Sequence, residues 1–415
     1  MPPNSPRLHY GWVVLGMGTL VVFGALGLAR FGYSVVLPAM QQGLHLDNTQ
    51  AGALATANLV GYLALSVLGG AFAARFGPRA VIAMGLLVAG IGMLLTALVN
   101  DFASAAACRA LTGAGSGASN VPAMGLLAAW FAPRRRGLAT GIGVSGSSLA
   151  LIVVGPLVPR ILRAFDASGW RISWMIFGGV TLLLAAAAAA ILRNRPSVMG
   201  LSPVGAAPAS PAQPAADTAL PWASVYRSFL VWHIGLVYVA FGFSYIIYMT
   251  FFVKSLIADG GYTPAEAGNL FMTMGWFSLL CGLIWGTLSD IIGRKHALII
   301  VYLIHATAFS LFALRPTPAG FTVSAVLFGL TAWSIPAIMA AACGDLLGPR
   351  LAPAGLGFVT LFFGIGQAIG PSVAGAVADT MHSLLPGMLL AGVVALLGAF
   401  GAALLPGGSF RRDSA

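Results

Sequence analysis

Charge is scarce in this chain. Asp, Glu, Lys and Arg make up 7% of its 415 residues, against 59% hydrophobic residues, and mean hydropathy is +0.92. A water-soluble domain carries about 25% charged residues. So much apolar surface cannot be hidden in a water-soluble fold of this length, so part of the solvent is lipid. Lysine is nearly absent, with Lys254 and Lys295 the only two. No GxxxxGK[ST] motif occurs, which excludes a nucleotide-driven pump of the usual kind. The lack of HExxH excludes that class of zinc protease. Three cysteines (Cys108, Cys281, Cys343) stand far apart with no CxxC pair. Neither a metal cluster nor a disulfide framework is indicated, and no cofactor is expected.

What is abundant is the long apolar run. Gly11 to Ala29 is uncharged, and about 20 helical residues cross a hydrocarbon core. Only helices or closed barrels satisfy their backbone in lipid, and barrel strands alternate in hydrophobicity, as these runs do not. An all-α membrane protein follows. Twelve spans are expected, at 11–38, 49–72, 80–99, 102–130, 138–160, 170–192, 227–257, 264–289, 296–314, 320–347, 355–378 and 384–405. Turn chemistry at Pro38, Gly77-Pro78, Pro133, Pro264, Pro316, Gly348-Pro349 and Pro386 separates them. Asn48-Thr49 and Thr263 are candidate N-caps. The first run has no small-residue cleavage site after it and reads as an uncleaved helix.

The net charge of +11 raises the question of nucleic acid. The basic residues instead sit in short loops between spans, the positive-inside pattern, so no nucleic-acid partner is expected. Arg75, Arg79, Arg134, Arg135, Arg136, Arg193, Arg195, Arg294, Lys295, Arg350, Arg411 and Arg412 fall on the side of the termini. Asp47, Asp101, Asp166, Asp259 and Asp379 fall on the other, with Arg160, Arg163, Arg171 and Arg315 against the trend. The expectation is a multi-pass protein of a bacterial inner membrane with both termini cytoplasmic. The stretch 194–226, rich in Pro, Ala and Ser, reads as a flexible cytoplasmic linker. It divides an N-terminal six-helix bundle (1–193) from a C-terminal one (227–415).

The two halves repeat one another. Gly70 to Arg79 follows the second span, and Gly286 to Lys295 follows the eighth, 216 positions later. Ala51-Gly52 and Ala267-Gly268 keep that offset, as do Gly113 and Gly329. Gly155-Pro156 and Gly370-Pro371 lie 215 apart. A pseudo-symmetric pair of bundles, with a substrate site between them near the midplane, is the physical reading.

Gly70–Arg79 and Gly286–Lys295 resemble the signature loop of the major facilitator superfamily. Ala74 stands at the motif's aspartate in the first copy, and Ile291 at its arginine in the second. Arg109 to Gly113 resembles the family's fourth-helix arginine–glycine motif, and Gly146 to Gly155-Pro156 its fifth-helix motif. His9-Tyr10-Gly11-Trp12, Arg134-Arg135-Arg136-Gly137, Gly169-Trp170-Arg171 and Arg195 to Leu201 are similar to bacterial monocarboxylate and oxalate/formate transporters. Ala29 to Tyr33 resembles the YbfB/YjiJ branch. The resemblance implies two six-helix bundles and alternating-access transport. Oxalate-type transporters carry basic residues in the eighth and eleventh helices, where this chain has Trp276 and Gln367.

Arg30 is the sharpest chemical signal. It lies well inside the first span, where arginine is costly and faces a cavity or a partner. One reading is a guanidinium that grips a substrate carboxylate; the other is a charge snorkelling to the interface beyond Pro38. Tyr33, Asn58 and Tyr62 (i and i+4 on the second span), Asn120, Tyr245, Tyr248, Trp276 and Gln367 are the further candidate substrate ligands. The repeat offset sets Tyr245 opposite Arg30. Arg109 reads equally as a conformational or proton-linked group and as a structural hydrogen-bond hub near Asp101. Arg75, Asp290 and Arg294 are candidate gating charges, Asp290 and Arg294 pairing across the bundles in the outward-open state. His305 is the candidate proton carrier.

No Asp or Glu falls in the middle of a span. A buried cation without an acid favours a substrate that brings its own negative charge. The expected function is alternating-access transport of a small organic anion, a monocarboxylate, by a monomer that is not an enzyme, with proton symport as the coupling. Export of hydrophobic compounds is the alternative. An intramembrane hydrolase built on Gly143-Val144-Ser145-Gly146 and His305 is a remoter one.

Overall fold

The computed structural model describes residues 9–206, 222–279 and 281–406, almost all of them helical. Twelve long segments cross the molecule. We number them α1 Tyr10–Gly43, α2 Asn48–Phe76, α3 Pro78–Thr96, α4 Phe102–Trp130, α5 Pro133–Phe165, α6 Gly169–Ile191 and α7 Phe229–Ala258. Then come α8 in two pieces (Pro264–Ser278 and Cys281–Ile292), α9 Arg294–Leu314, α10 Pro318–Gly348, α11 Ala354–Met381 and α12 Leu385–Ala403. Among the described residues, eight helices are long and apolar enough to cross a membrane by themselves. One of the eight, Pro133–Ile191, doubles back at Asp166–Ser168 and holds both α5 and α6. We call the side where α1 begins the near face and the opposite side the far face.

Local chemistry starts and stops these helices. Asp47 and Gln50 form a capping box at α2 (Gln50 N to Asp47 Oδ1, 2.6 Å), and Thr263 and Glu266 form another at α8. The α2 cap is therefore Asp47, one residue before the expected Asn48-Thr49. Asp101 caps α4 through the Ser104 N–H at 2.9 Å, and that bond holds its carboxyl below the usual range. Proline opens α3, α5, α8 and α10, where its missing N–H costs nothing. Pro38, expected as a turn, lies inside α1, which runs on to Gly43. A bundle tolerates such a proline because neighbouring helices re-satisfy the freed backbone.

The internal repeat is visible in three dimensions. Gly77, between α2 and α3, has φ 85°, and Gly293, between α8 and α9 and 216 positions on, has φ 86°. Only glycine enters that region at no cost. Gly113 of α4 packs so closely on α2 that a Cβ there would meet the Asn58 carbonyl oxygen at 1.8 Å. Gly329 of α10 does the same to Met274 of α8, at 2.9 Å. Met274 is Asn58 shifted by the same 216.

Part of the segment expected as a flexible linker is built into the fold. Val204 exchanges backbone hydrogen bonds with the link between α4 and α5 (Val204 N to Trp130 O, 2.9 Å; Ala132 N to Val204 O, 3.1 Å). Pro196 and Val204 are buried. Apolar side chains among the prolines supply the burial that a solvated linker lacks. The rest of the proline-rich stretch, 207–221, lies outside the described residues.

Candidate functional site

α1 is irregular where it matters. Phe23–Phe31 winds as a π-helix, a form that frees carbonyls and marks functional sites. Arg109 of α4 donates from Nη1 to the Ala29 carbonyl at 2.7 Å. Its guanidinium lies over the rings of Tyr33 (4.8 Å) and Trp174 (4.9 Å), and the residue is 1% exposed. The carbonyl and the two ring faces replace much of the water that burial removes, with Nε left without a partner. Asn58 donates to the Arg109 carbonyl at 3.1 Å. Tyr33 donates to the Ala51 carbonyl at 2.7 Å. The Arg109 side chain thus ties α4 to α1 and α6, and its backbone carbonyl ties in α2; its hydrogen-bond partner is a carbonyl, and Asp101 is engaged with Ser104.

Arg30, at the end of the π-helical stretch, differs. Its guanidinium sits 4.4 Å over the Tyr62 ring of α2 and lies close enough to the Tyr245 hydroxyl of α7 to interact with it electrostatically. Its Nε and one Nη are enclosed and have no hydrogen-bond partner. No carboxylate faces it among the described residues. Asn120 of α4 donates to the Tyr62 hydroxyl at 3.0 Å, and Gln367 of α11 bonds the Tyr245 hydroxyl. A polar chain thus runs Asn120–Tyr62–Arg30–Tyr245–Gln367, from the N-terminal half into the C-terminal one. A cavity of about 10 Å³, bordered by Arg30, Ser34, Asn58, Arg109 and Thr250, lies beside it; that is room for about one water.

On the far-face side of this centre the halves close on each other. Asp379 of α11 accepts from Asn48 N (2.9 Å), Thr49 N (2.8 Å) and Thr49 Oγ1 (2.6 Å) at the start of α2. Lys254 of α7 bonds the Asn48 side chain. Thr56 donates to the Ala368 carbonyl at 2.7 Å. Backbones touch at glycine: a Cβ on Gly155 (α5) would meet the Gly268 carbonyl oxygen (α8) at 2.4 Å, and one on Gly52 that of Pro371 at 2.1 Å. Deeper in, Ser148 of α5 accepts from Ser278 (2.8 Å) and from the Trp333 indole (2.9 Å). Toward the near face, Leu68, Phe72 and Phe76 of α2 are exposed.

Residues 22–403 match the family described as the uncharacterised MFS-type transporter YbfB. The chain belongs to this family of major facilitator transporters. Low-identity relatives span its whole length. They include the hexuronate transporter of Bacillus subtilis (23% identical; 89% of this chain, 88% of the relative). The probable sulfoacetate transporter SauU of Cupriavidus necator is 26% identical (95% and 94%), and monocarboxylate transporter 3 of Rattus norvegicus is 28% identical (96% and 80%). Among solved structures, a bacterial homologue of the human lysosomal transporter Spinster, inward-facing and unoccupied, matches with TM-score 0.77 at 17% identity. That match covers 99% of this chain and 100% of the other and shows a shared fold.

In this YbfB-type transporter the predicted ligands separate into three groups. Arg30, Tyr62, Asn120, Tyr245 and Gln367 meet at the centre. Tyr33 and Asn58 brace Arg109 beside it. Tyr248 and Trp276 are elsewhere. The Tyr248 hydroxyl bonds Ser324 at 2.6 Å and its ring packs among Phe252, Phe309, Phe312 and Phe328 inside the C-terminal half. Trp276 is 57% exposed; the preceding residue, Gly275, is the one pressed on α5. With the far face closed, Arg294 pairs within its own half, with Asp290 (2.5 Å) and Asp345 (2.9 Å); the expected pairing across the bundles belongs to the outward-open state. Arg75 is exposed at the near face. His305 is buried in the C-terminal half, its ring stacked near Phe241 and Phe309. The sequence reading missed Asp379, Lys254, Thr56 and Ser148, whose partners lie in the opposite half, far along the chain.

Proposed function

We propose that this transporter carries a small organic monocarboxylate by alternating access, with Arg30 as the anion's ligand. One observation carries the reading: a guanidinium at the seam of the two halves keeps enclosed N–H donors with no acceptor. A buried unmade donor costs about 1–3 kcal/mol, more when charged, and a carboxylate supplies the missing charge and the missing acceptors together. Hexuronate, sulfoacetate and monocarboxylate, for which these relatives are named, are all anions.

Tyr62, Asn120, Tyr245 and Gln367 complete the ligand shell in this proposal. The far face is the closed outer gate, and the near face, with its arginines, is cytoplasmic in a bacterial inner membrane. The transporter works as a monomer. Symport with protons is part of the proposal: an anion entering against an inside-negative potential costs about 2.3 kcal/mol per charge per 100 mV, and a proton carried in with it cancels that cost.

The test is uptake into proteoliposomes of a panel of radiolabelled small carboxylates, for wild type and Arg30→Ala. Uptake by wild type that rises with an inward proton gradient and is lost in the variant is the expected result. Equal uptake by both would remove Arg30 from the site. Uptake of neutral compounds alone would remove the anion.

A further inference from the structure

The wall beside Arg30 is aromatic in one particular arrangement. Tyr238, Phe241 and Tyr245 stand at i, i+3 and i+7 on α7, each no more than 3% exposed. Phe363 of α11 lies nearly parallel to all three. Its ring centroid is 4.6 Å from that of Tyr238 (17° between planes), 5.5 Å from Phe241 (12°) and 5.8 Å from Tyr245 (12°). Phe363 itself keeps exposed surface. That surface is not on the outer stripe of α11, which is made by Leu361, Ile365 and Ile369. Phe363 is one turn from Gln367 on the same face, and the adjacent Gly364 presses on Leu63 of α2. It therefore borders the seam. Tyr62 borders the seam from the other half and also keeps exposed surface.

We propose that the anion has a flat aromatic body, because Arg30, with its unmade donors, adjoins a stack of parallel rings whose last member, Phe363, borders the seam and is only partly buried. This rests on Arg30 as the anion's ligand and names the substrate class: an aromatic monocarboxylate of the benzoate type. The guanidinium takes the carboxylate, and the ring slides in as the next plane of the stack. Offset stacking favours such a partner beyond its area alone. A short aliphatic acid such as lactate fills only the charged end.

The test is binding to the purified full-length protein by calorimetry, with benzoate, cyclohexanecarboxylate, L-lactate and benzamide as probes. Wild type, Arg30→Ala, Phe363→Ala and Phe363→Leu are compared, the last keeping an apolar side chain of similar bulk. Benzoate is expected to bind roughly 3- to 10-fold tighter than cyclohexanecarboxylate, the value of a stacked pair, and tighter again than lactate. Phe363→Leu should erase the first preference and leave lactate within about twofold. Lactate binding as tightly as benzoate, or Phe363→Leu weakening both equally, would overturn the aromatic class while Arg30→Ala still abolishes binding. If no carboxylate binds, or benzamide binds as well as benzoate, the Arg30 reading falls too.

Discussion

The two halves of this molecule share a scaffold and differ at the centre. Gly77 and Gly293 make the same left-handed turn, and Gly113 and Gly329 seat equivalent helix pairs. At the equivalent central positions, one half places Arg30 and Asn58 where the other places Tyr245 and Met274. The N-terminal half supplies the cation, with an amide and a hydroxyl beside it; the C-terminal half supplies no cation at the centre but a hydroxyl, an amide and a stack of rings. Positions that set backbone approach stay alike because a Cβ has nowhere to go. Positions that face the seam are free of that constraint and carry the chemistry.

The largest effect should break this division directly. Arg30→Ala is expected to lower carboxylate uptake about 100-fold or more, from the loss of charged hydrogen bonds worth about 1.5–3 kcal/mol each. Tyr245→Phe removes a neutral hydroxyl, and initial-rate uptake should fall only about 5-fold. Equal losses would mean that the halves do not divide the work in this way.

Next come the scaffold glycines. Gly113→Ala forces a methyl to 1.8 Å from the Asn58 carbonyl oxygen, whereas Gly329→Ala meets Met274 at 2.9 Å. Overpacking costs about 1–3 kcal/mol, so melting in detergent should fall far more for Gly113→Ala. A reversed order would show that the C-terminal half is the tighter one.

Arg109 sharpens the contrast between two buried arginines. Arg109→Ala strips the Ala29 carbonyl of its donor and should lower stability by about 1–3 kcal/mol, read as a lower melting temperature. Arg30→Ala should leave that temperature unchanged or raised, since it removes unmade donors. Asp379→Asn comes lower in size. The neutral amide keeps one acceptor for the α2 N-terminus but loses the charge, worth about 0.3–1 kcal/mol there. Spin labels across the far face should then report a several-fold larger open population. Trp276→Ala should change uptake least, within about twofold, because the indole faces outward.

Much of the fold was legible in the sequence. Apolar runs of 20 residues leave few choices in lipid, and the glycine register between halves names the symmetry. Arg30 was legible for a related reason: a charge inside an apolar run has to be explained by a partner or a ligand. The limits were those of distance along the chain. Trp276 and Tyr248 share residue types with true seam positions, and only the rotation of each helix about its axis decides which way they point. That rotation is set by contacts such as Gly275 on Ile152. The Asp379–Asn48 latch joins residues 331 positions apart, which no local pattern reports. The π-helical stretch of α1 was equally hidden, since its partner, Arg109, lies three helices on.

The most direct measurement is the shift in melting temperature of the purified protein across a panel of small carboxylates, with Arg30→Ala beside wild type. A ligand stabilises the state it binds by RT ln(1 + [L]/Kd). A carboxylate that raises the melting temperature of wild type in a concentration-dependent way, and leaves Arg30→Ala unmoved, is the predicted result. A carboxylate that stabilises both proteins equally, or a panel in which none stabilises wild type, would contradict Arg30 as the anion's ligand.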